Sequence, residues 1–141
     1  MTNKFKQALM GGIIGTLVMT IVMMVAPMMG MPKMNPPAML ASMMGFPIVV
    51  GWIMHFMIGI SFALAYAFFF VKLVKRISNN IVKGAVYGFA AFVFAQIMMG
   101  MMSFIMPPPP MEGSMMLMMV GSIMGHIIFG ITIIYFVKEQ E

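Results

Sequence analysis

The chain has 141 residues, of which 62% are apolar and only 8% charged, with a mean hydropathy of +1.05. A soluble domain, about a quarter charged, cannot be surfaced with eleven charged side chains on 15.6 kDa, and disorder is excluded because it demands the opposite composition. The net charge of +5 is not a nucleic-acid footprint, since the cations stand at the ends of apolar runs, and the absence of cysteine removes disulfides, thiolate metal sites and cysteine nucleophiles.

A spanning helix takes about 20 apolar residues. Four windows meet this length, at about residues 8–29, 48–71, 81–106 and 115–137, and only Lys83 interrupts them with a charge. The expected fold class is therefore all-α: a polytopic membrane protein with four transmembrane helices built as two tandem helical hairpins, in one membrane domain over residues 1–141. Short alternating segments of the kind a barrel needs are absent. The first window, preceded by Lys4 and Lys6, reads as a retained span. It is too long for a signal-peptide core and lacks a small-residue cleavage site.

Lys4, Lys6, Lys72, Lys75, Arg76, Lys83 and Lys138 collect on one side and Lys33 alone on the other. By the positive-inside rule both termini are expected in the cytoplasm, with the chain in a cytoplasmic (inner) membrane. In the first outer loop, Asn35 before Pro36 and Pro37 predicts an N-cap followed by a short helix over residues 38–44 that Gly45 stops. Between spans two and three, Ser78-Asn79-Asn80 is turn chemistry. In the second outer loop, Pro107 to Pro110 predict an extended polyproline segment, with Ser114 as N-cap of the last span and Glu112 near its positive dipole end.

The halves 1–76 and 77–141 read as a pseudo-repeat. Span two carries Gly51-x-x-x-His55-x-x-x-Gly59 and span four Ser122-x-x-x-His126-x-x-x-Gly130; Phe-Val-Lys then ends both, at Lys72 and Lys138. Gly11 and Gly15 of span one correspond to Gly84 and Gly88 of span three. Two spans per unit imply a pseudo-two-fold axis along the membrane normal. Small residues four apart also have a plain use, close backbone approach between helices in lipid. The stretches Gly-Met-Pro-Lys-Met-Asn-Pro-Pro-Ala-Met-Leu (30–40), Gly-Trp-Ile-Met-His-Phe-Met-Ile-Gly (51–59) and Pro-Pro-Met-Glu-Gly-Ser (109–114) resemble those of a group of small bacterial four-helix membrane proteins of unassigned function. That resemblance implies the four-span fold and brings no activity with it.

His55 and His126 are the intramembrane groups that titrate near neutrality, which makes them functional candidates. One reading is a neutral imidazole hydrogen-bonded to a neighbouring helix, with Thr16, Thr20, Ser61 and Gln96 available. A second is bis-histidine ligation of haem b, with Gly51, Gly59, Ser122 and Gly130 making room for the macrocycle. The others are a soft-metal site and a proton relay, the relay weakened by the lack of an intramembrane carboxylate. Counted along their helices the two histidines differ in depth by roughly 6 Å, which weighs against one shared iron.

Methionine supplies 25 residues: twelve between 19 and 57, eleven between 98 and 124, none in 58–97 or 125–141. Gap-filling by a flexible side chain has no reason to prefer one leaflet, so the polarisation predicts a task on the outer side. Thioethers suit Cu(I). The expected metal set is His55 and His126 with Met115 and Met119 (in one stripe with Ser122 on span four) and Met23, Met24, Met28, Met98, Met99 and Met102, with Met31 lining the same cavity. A competing explanation is an adaptable methionine surface for a partner or apolar ligand; oxidisable methionines also admit scavenging. No nucleophile–base pair or nucleotide fingerprint is present, so a non-enzymatic protein is expected. It either handles copper or haem, or serves as an accessory structural subunit of a larger respiratory or photosynthetic membrane complex. The expected partners are the lipid bilayer and other membrane subunits or a homodimer.

Overall fold

The computed structural model describes residues 2–106 and 113–138, and all their regular structure is helical. Helix α1 (Thr2–Val25) runs into a 3-10 turn (Ala26–Met29), ended by Gly30 at φ +85°. Helix α2 (Pro36–Met44) starts as the sequence predicts: Asn35 Oδ1 accepts from the Ala38 N–H at 3.1 Å, and Gly45 ends it at φ +68°. A left-handed residue at this point favours glycine. Helix α3 (Ile48–Ala65) widens into a π segment (Tyr66–Phe70) and continues as α4 (Val71–Val74). Helix α5 (Asn80–Ser103) is capped by Asn79, whose Oδ1 accepts from the N–H groups of Ile81 and Val82. Helix α6 is Met115–Phe136. Ser114 stands at its N-cap position, but its side chain makes no capping bond; the expected hydroxyl cap is absent. The polyproline segment and Glu112 lie outside the described residues.

Four helical stretches are long and apolar enough to cross a membrane: Asn3–Met29, Ile48–Val74, Asn80–Ser103 and Met115–Phe136. They pack in the order α3, α1, α6, α5, with α2 against the N-terminal half of α3. Without a hydrophobic force between helices in lipid, such a bundle depends on backbone approach and polar contacts. Helix α1 therefore serves two neighbours from two small-residue faces. Gly12 and Thr16 meet α3, where a Cβ at Gly12 would come within 2.7 Å of Ile60 Cα; Gly11 and Gly15 meet α6 at Phe136 and Phe129. At the α5–α6 seam, Gly84 and Gly88 of α5 lie directly on the α6 backbone at residues 126–131, facing Gly130.

Helices α3 and α5 meet through rings. Phe62 and Phe94 pack edge to face at 5.8 Å, Tyr66 lies 4.8 Å from Tyr87, Phe70 lies 5.0 Å from Tyr87, and the Tyr87 hydroxyl donates to the Phe62 carbonyl. The Lys138 N–H donates to Gln7 Oε1, so the two described ends lie at the same end of the bundle. The outward faces of the spans are mostly Ile, Val, Leu, Phe and Met, the residues a hydrocarbon phase accepts.

Candidate functional site

His55 sits on the face of α3 marked by Gly51 and Gly59, and each of these glycines seats a different helix. At Gly51 the Pro37 carbonyl and Ala41 of α2 take the space a side chain would need; at Gly59 it is Thr16 of α1. Between these contacts His55 is 5% exposed, with its Nε2 2.9 Å from Thr20 Oγ1. The Thr20 hydroxyl donates its one proton to the Thr16 carbonyl at 2.7 Å, so it accepts from the imidazole, which assigns the His55 proton to Nε2. Thr16 in turn donates to the Gly12 carbonyl, and Trp52 and Phe56 stand edge-on to the ring at 6.4 and 6.3 Å.

His126 is held differently. Its Nδ1 lies 2.8 Å from the Ser122 carbonyl, which only accepts, so the proton is on Nδ1 and the Nε2 lone pair is left over. Phe92 of α5 meets the ring edge to face at 5.8 Å. The two imidazoles thus take opposite tautomers and bond to different partners, one to the neighbouring helix α1 and one to its own helix. Of the hydrogen-bond partners available in the sequence, Thr20 is the one used. Ser61 returns its hydroxyl to the Met57 carbonyl, Thr16 bonds to Gly12, and Gln96 is exposed on α5.

The room expected beside the histidines for a macrocycle is occupied. Gly51, Gly59 and Gly130 are filled by the backbone or side chains of α2, α1 and α5, as close-packing glycines in lipid are. Ser122 is half-buried and contributes its carbonyl.

The methionines divide in two. Met24 is 65% and Met28 86% exposed, and Met98, Met115 and Met119 are also exposed; Met99 and Met102 are half-buried. The stripe Met115, Met119, Ser122, His126 does not line an inward channel. The face of α6 that meets α1 carries Gly121, Gly125, Phe129 and Ile133, one residue and so about 100° round the helix. Of the methionines in the expected metal set, Met23 alone is buried, at 4% exposure.

The inward cluster has other members. Met19 and Met23 of α1 converge on Gly125, where a Cβ would stand 2.5 Å from Met23 Cε and 3.3 Å from Met19 Cγ. Met31 and Met34, between the 3-10 turn and α2, converge on Gly121, 3.2 Å from Met31 Cε and 3.4 Å from Met34 Sδ. Four thioether side chains therefore lie along one turn of α6. Met19 and Met34 were not in the expected set; the signal that marks them is the pair Gly121 and Gly125, four apart, read as notches for long side chains and not for a backbone. Among the described residues no group of three or more His, Cys, Asp or Glu is arranged for a metal ion.

Comparison with curated proteins gives no match, and comparison with solved structures gives none. A protein-family model does match, over residues 2–139, nearly the whole chain. The chain thus belongs to the family of unknown function DUF6789.

Proposed function

We propose that this protein is a non-enzymatic accessory subunit of a larger membrane assembly, docked through the outer half of α5. The observation that carries the reading is Gln96. Its carboxamide is exposed within the span, in the second half of a helix whose other outward side chains there are Val93, Phe94, Ile97, Met98 and Met101. A carboxamide in hydrocarbon without a partner costs several kcal/mol, and interhelical amide contacts are a common remedy. Gly100, one turn further on, has open space where its Cβ would be, so a second helix has room to approach. The exposed methionines fit the same use as an adaptable contact surface. On this reading the protein lies in a bacterial inner membrane with its lysine-rich end in the cytoplasm. The chain is read as a duplicated hairpin: Gly59 against the Gly12 carbonyl and Gly130 against the Gly84 carbonyl are matching contacts that support the repeat, in a register that pairs Gly84 with Gly12 and not, as the sequence pattern suggests, with Gly11, which faces α6. A photo-crosslinking residue at position 96, in native membranes, should give a discrete protein adduct, while one at the lipid-facing Ile13 gives none. Adducts that are absent or identical at both positions refute the reading.

A second reading, soft-metal handling, is favoured by the four converging thioethers and by the His126 lone pair. A backbone acceptor on one imidazole nitrogen is the usual way to orient the other toward a metal. Competition titration of Cu(I) on protein in nanodiscs tests it. Binding should weaken in Met23→Leu and Met34→Leu and persist in Met24→Leu and Met28→Leu; equal behaviour of the two pairs rules the cluster out.

A further inference from the structure

Helix α5 meets α6 through Gly84 and Gly88, and meets α3 with its π segment through Tyr87 and Phe94. A third side of α5 carries Phe89, Val93, Gln96, Gly100 and Ser103, all exposed. At 100° per residue this stripe lies roughly 120° round the helix from the glycine pair and 150° from the aromatic pair. Its steps are four, three, four and three, the spacing of a seam by which one helix packs along another. Nothing lies within 4 Å of where a Cβ at Gly100 would be, so a second backbone can come close there. Of the two polar side chains, Ser103 donates its hydroxyl to the Gly100 carbonyl at 2.6 Å. Gln96 is exposed, with no hydrogen bond among the described residues. It stands seven residues before the end of α5, roughly 10 Å inside the span.

A carboxamide both donates and accepts. Two of them, related by a two-fold axis along the membrane normal, exchange N–H···O=C bonds reciprocally and satisfy each other. Every copy of the chain carries the same lysine asymmetry and so inserts in the same direction. Identical residues of two copies therefore stand at the same depth. A second α5 brings its own Gln96 opposite the first, with Gly100 opposite Gly100. A lipid chain brings neither donor nor acceptor, and an unrelated helix would need a polar group at that one depth. A single polar residue in an otherwise apolar seam also fixes the register and the number of strands.

We infer that a second copy of this chain covers the stripe, α5 against α5 in a parallel two-fold dimer, with the two Gln96 carboxamides bonded to each other. The inference rests on the reading that α5 is a docking face, and it names the occupant. Because the chain has no cysteine, Val93→Cys and Gly100→Cys can be placed singly in the full-length chain in native membranes. A short thiol-to-thiol cross-linker should then give a product of twice the chain's mass. Met98→Cys and Met101→Cys, exposed but off the stripe, should give none. Energy transfer between labelled copies of the full-length chain, diluted with lipid in liposomes, reads the strength of the dimer. Gln96→Leu should weaken it about three- to twentyfold, the range for one hydrogen bond between membrane helices, and Gln96→Asn should recover part of the loss. Equal product at 93, 98, 100 and 101, or a Gln96→Leu dimer as strong as that of the unaltered chain, overturns the inference. A photo-adduct at position 96 with the mass of another protein also overturns it, but leaves α5 a docking face. Absence of any adduct at 96, together with no cross-link at 93 or 100, removes both.

Discussion

Gly88→Ala should drive α5 and α6 apart. The added Cβ would stand 2.6 Å from Ile127 Cα and 2.8 Å from the His126 carbonyl carbon, and ordinary contact begins at 3.4 Å. Measured to the Ile127 Cα the shortfall, 3.4 minus 2.6, is about 0.8 Å, and the His126 carbonyl oxygen stands closer still, so the helices must yield at least this much; the obstacle is backbone, which cannot swing aside as a side chain can. Gly130 faces the same spot from the other side, so the opening extends along the seam. A gap of 0.5–1 Å forfeits roughly a quarter to a half of each dispersion contact across it, and overpacking of this kind costs about 1–3 kcal/mol. Gly100 is the internal control: nothing lies within 4 Å of its Cβ position, and alanine there should be neutral or stabilising by up to about 1 kcal/mol. Unfolding of the isolated protein in mixed micelles by titrated SDS, followed by far-ultraviolet circular dichroism, reads both variants. If Gly88→Ala and Gly100→Ala agree within about 0.5 kcal/mol, the spread of ordinary surface substitutions, the claim that backbone contact holds the α5–α6 seam is wrong.

Thr20→Val should strand the His55 Nε2–H and cost about 1–3 kcal/mol. A double-mutant cycle with His55→Leu should return a coupling of roughly 0.6–1.7 kcal/mol, the range for hydrogen bonds between membrane helices, and a coupling of zero would remove this bond from the account. Met23→Ala, which empties the notch at Gly125, should cost about 2–5 kcal/mol, whereas Met24→Ala one residue on should be near zero; equal costs contradict the division of the methionines. Asn35→Ala should loosen α2 by about 0.5–2 kcal/mol, read as faster amide exchange at Ala38. Because the chain has no cysteine, single cysteines at Lys33 and Asn79 report orientation. An impermeant maleimide added to intact cells should label position 33 alone, and labelling of 79 alone would invert the proposed topology.

Composition and chain-local chemistry settle a good deal here. Four apolar runs in a chain this poor in charge leave helices across a bilayer as the way to satisfy every backbone amide. Asn35 and Gly45 mark the ends of α2 because caps and left-handed turns are decided by one or two adjacent residues. The choice of neighbours is another matter, since helices in lipid have no strong preference by hydropathy alone. Periodicity links Met115 and Met119 to His126, yet the face of α6 turned to α1 is the adjacent one, cut by Gly121 and Gly125. So Met19, Met23, Met31 and Met34 are taken in while Met24, Met28 and Met115 are left outside. The glycines around His55 and His126 look the same whether the space beside them holds a ligand or a helix; contact with Pro37, Thr16 and Gly84 is what distinguishes the cases. Likewise Lys83 reads along the chain as one more interfacial cation, and its turn inward depends on how the start of α5 lies against the end of α6. Helix existence is a property of a segment and its solvent, whereas burial is a property of pairs of segments, and the rotation of each helix about its axis enters only through the second.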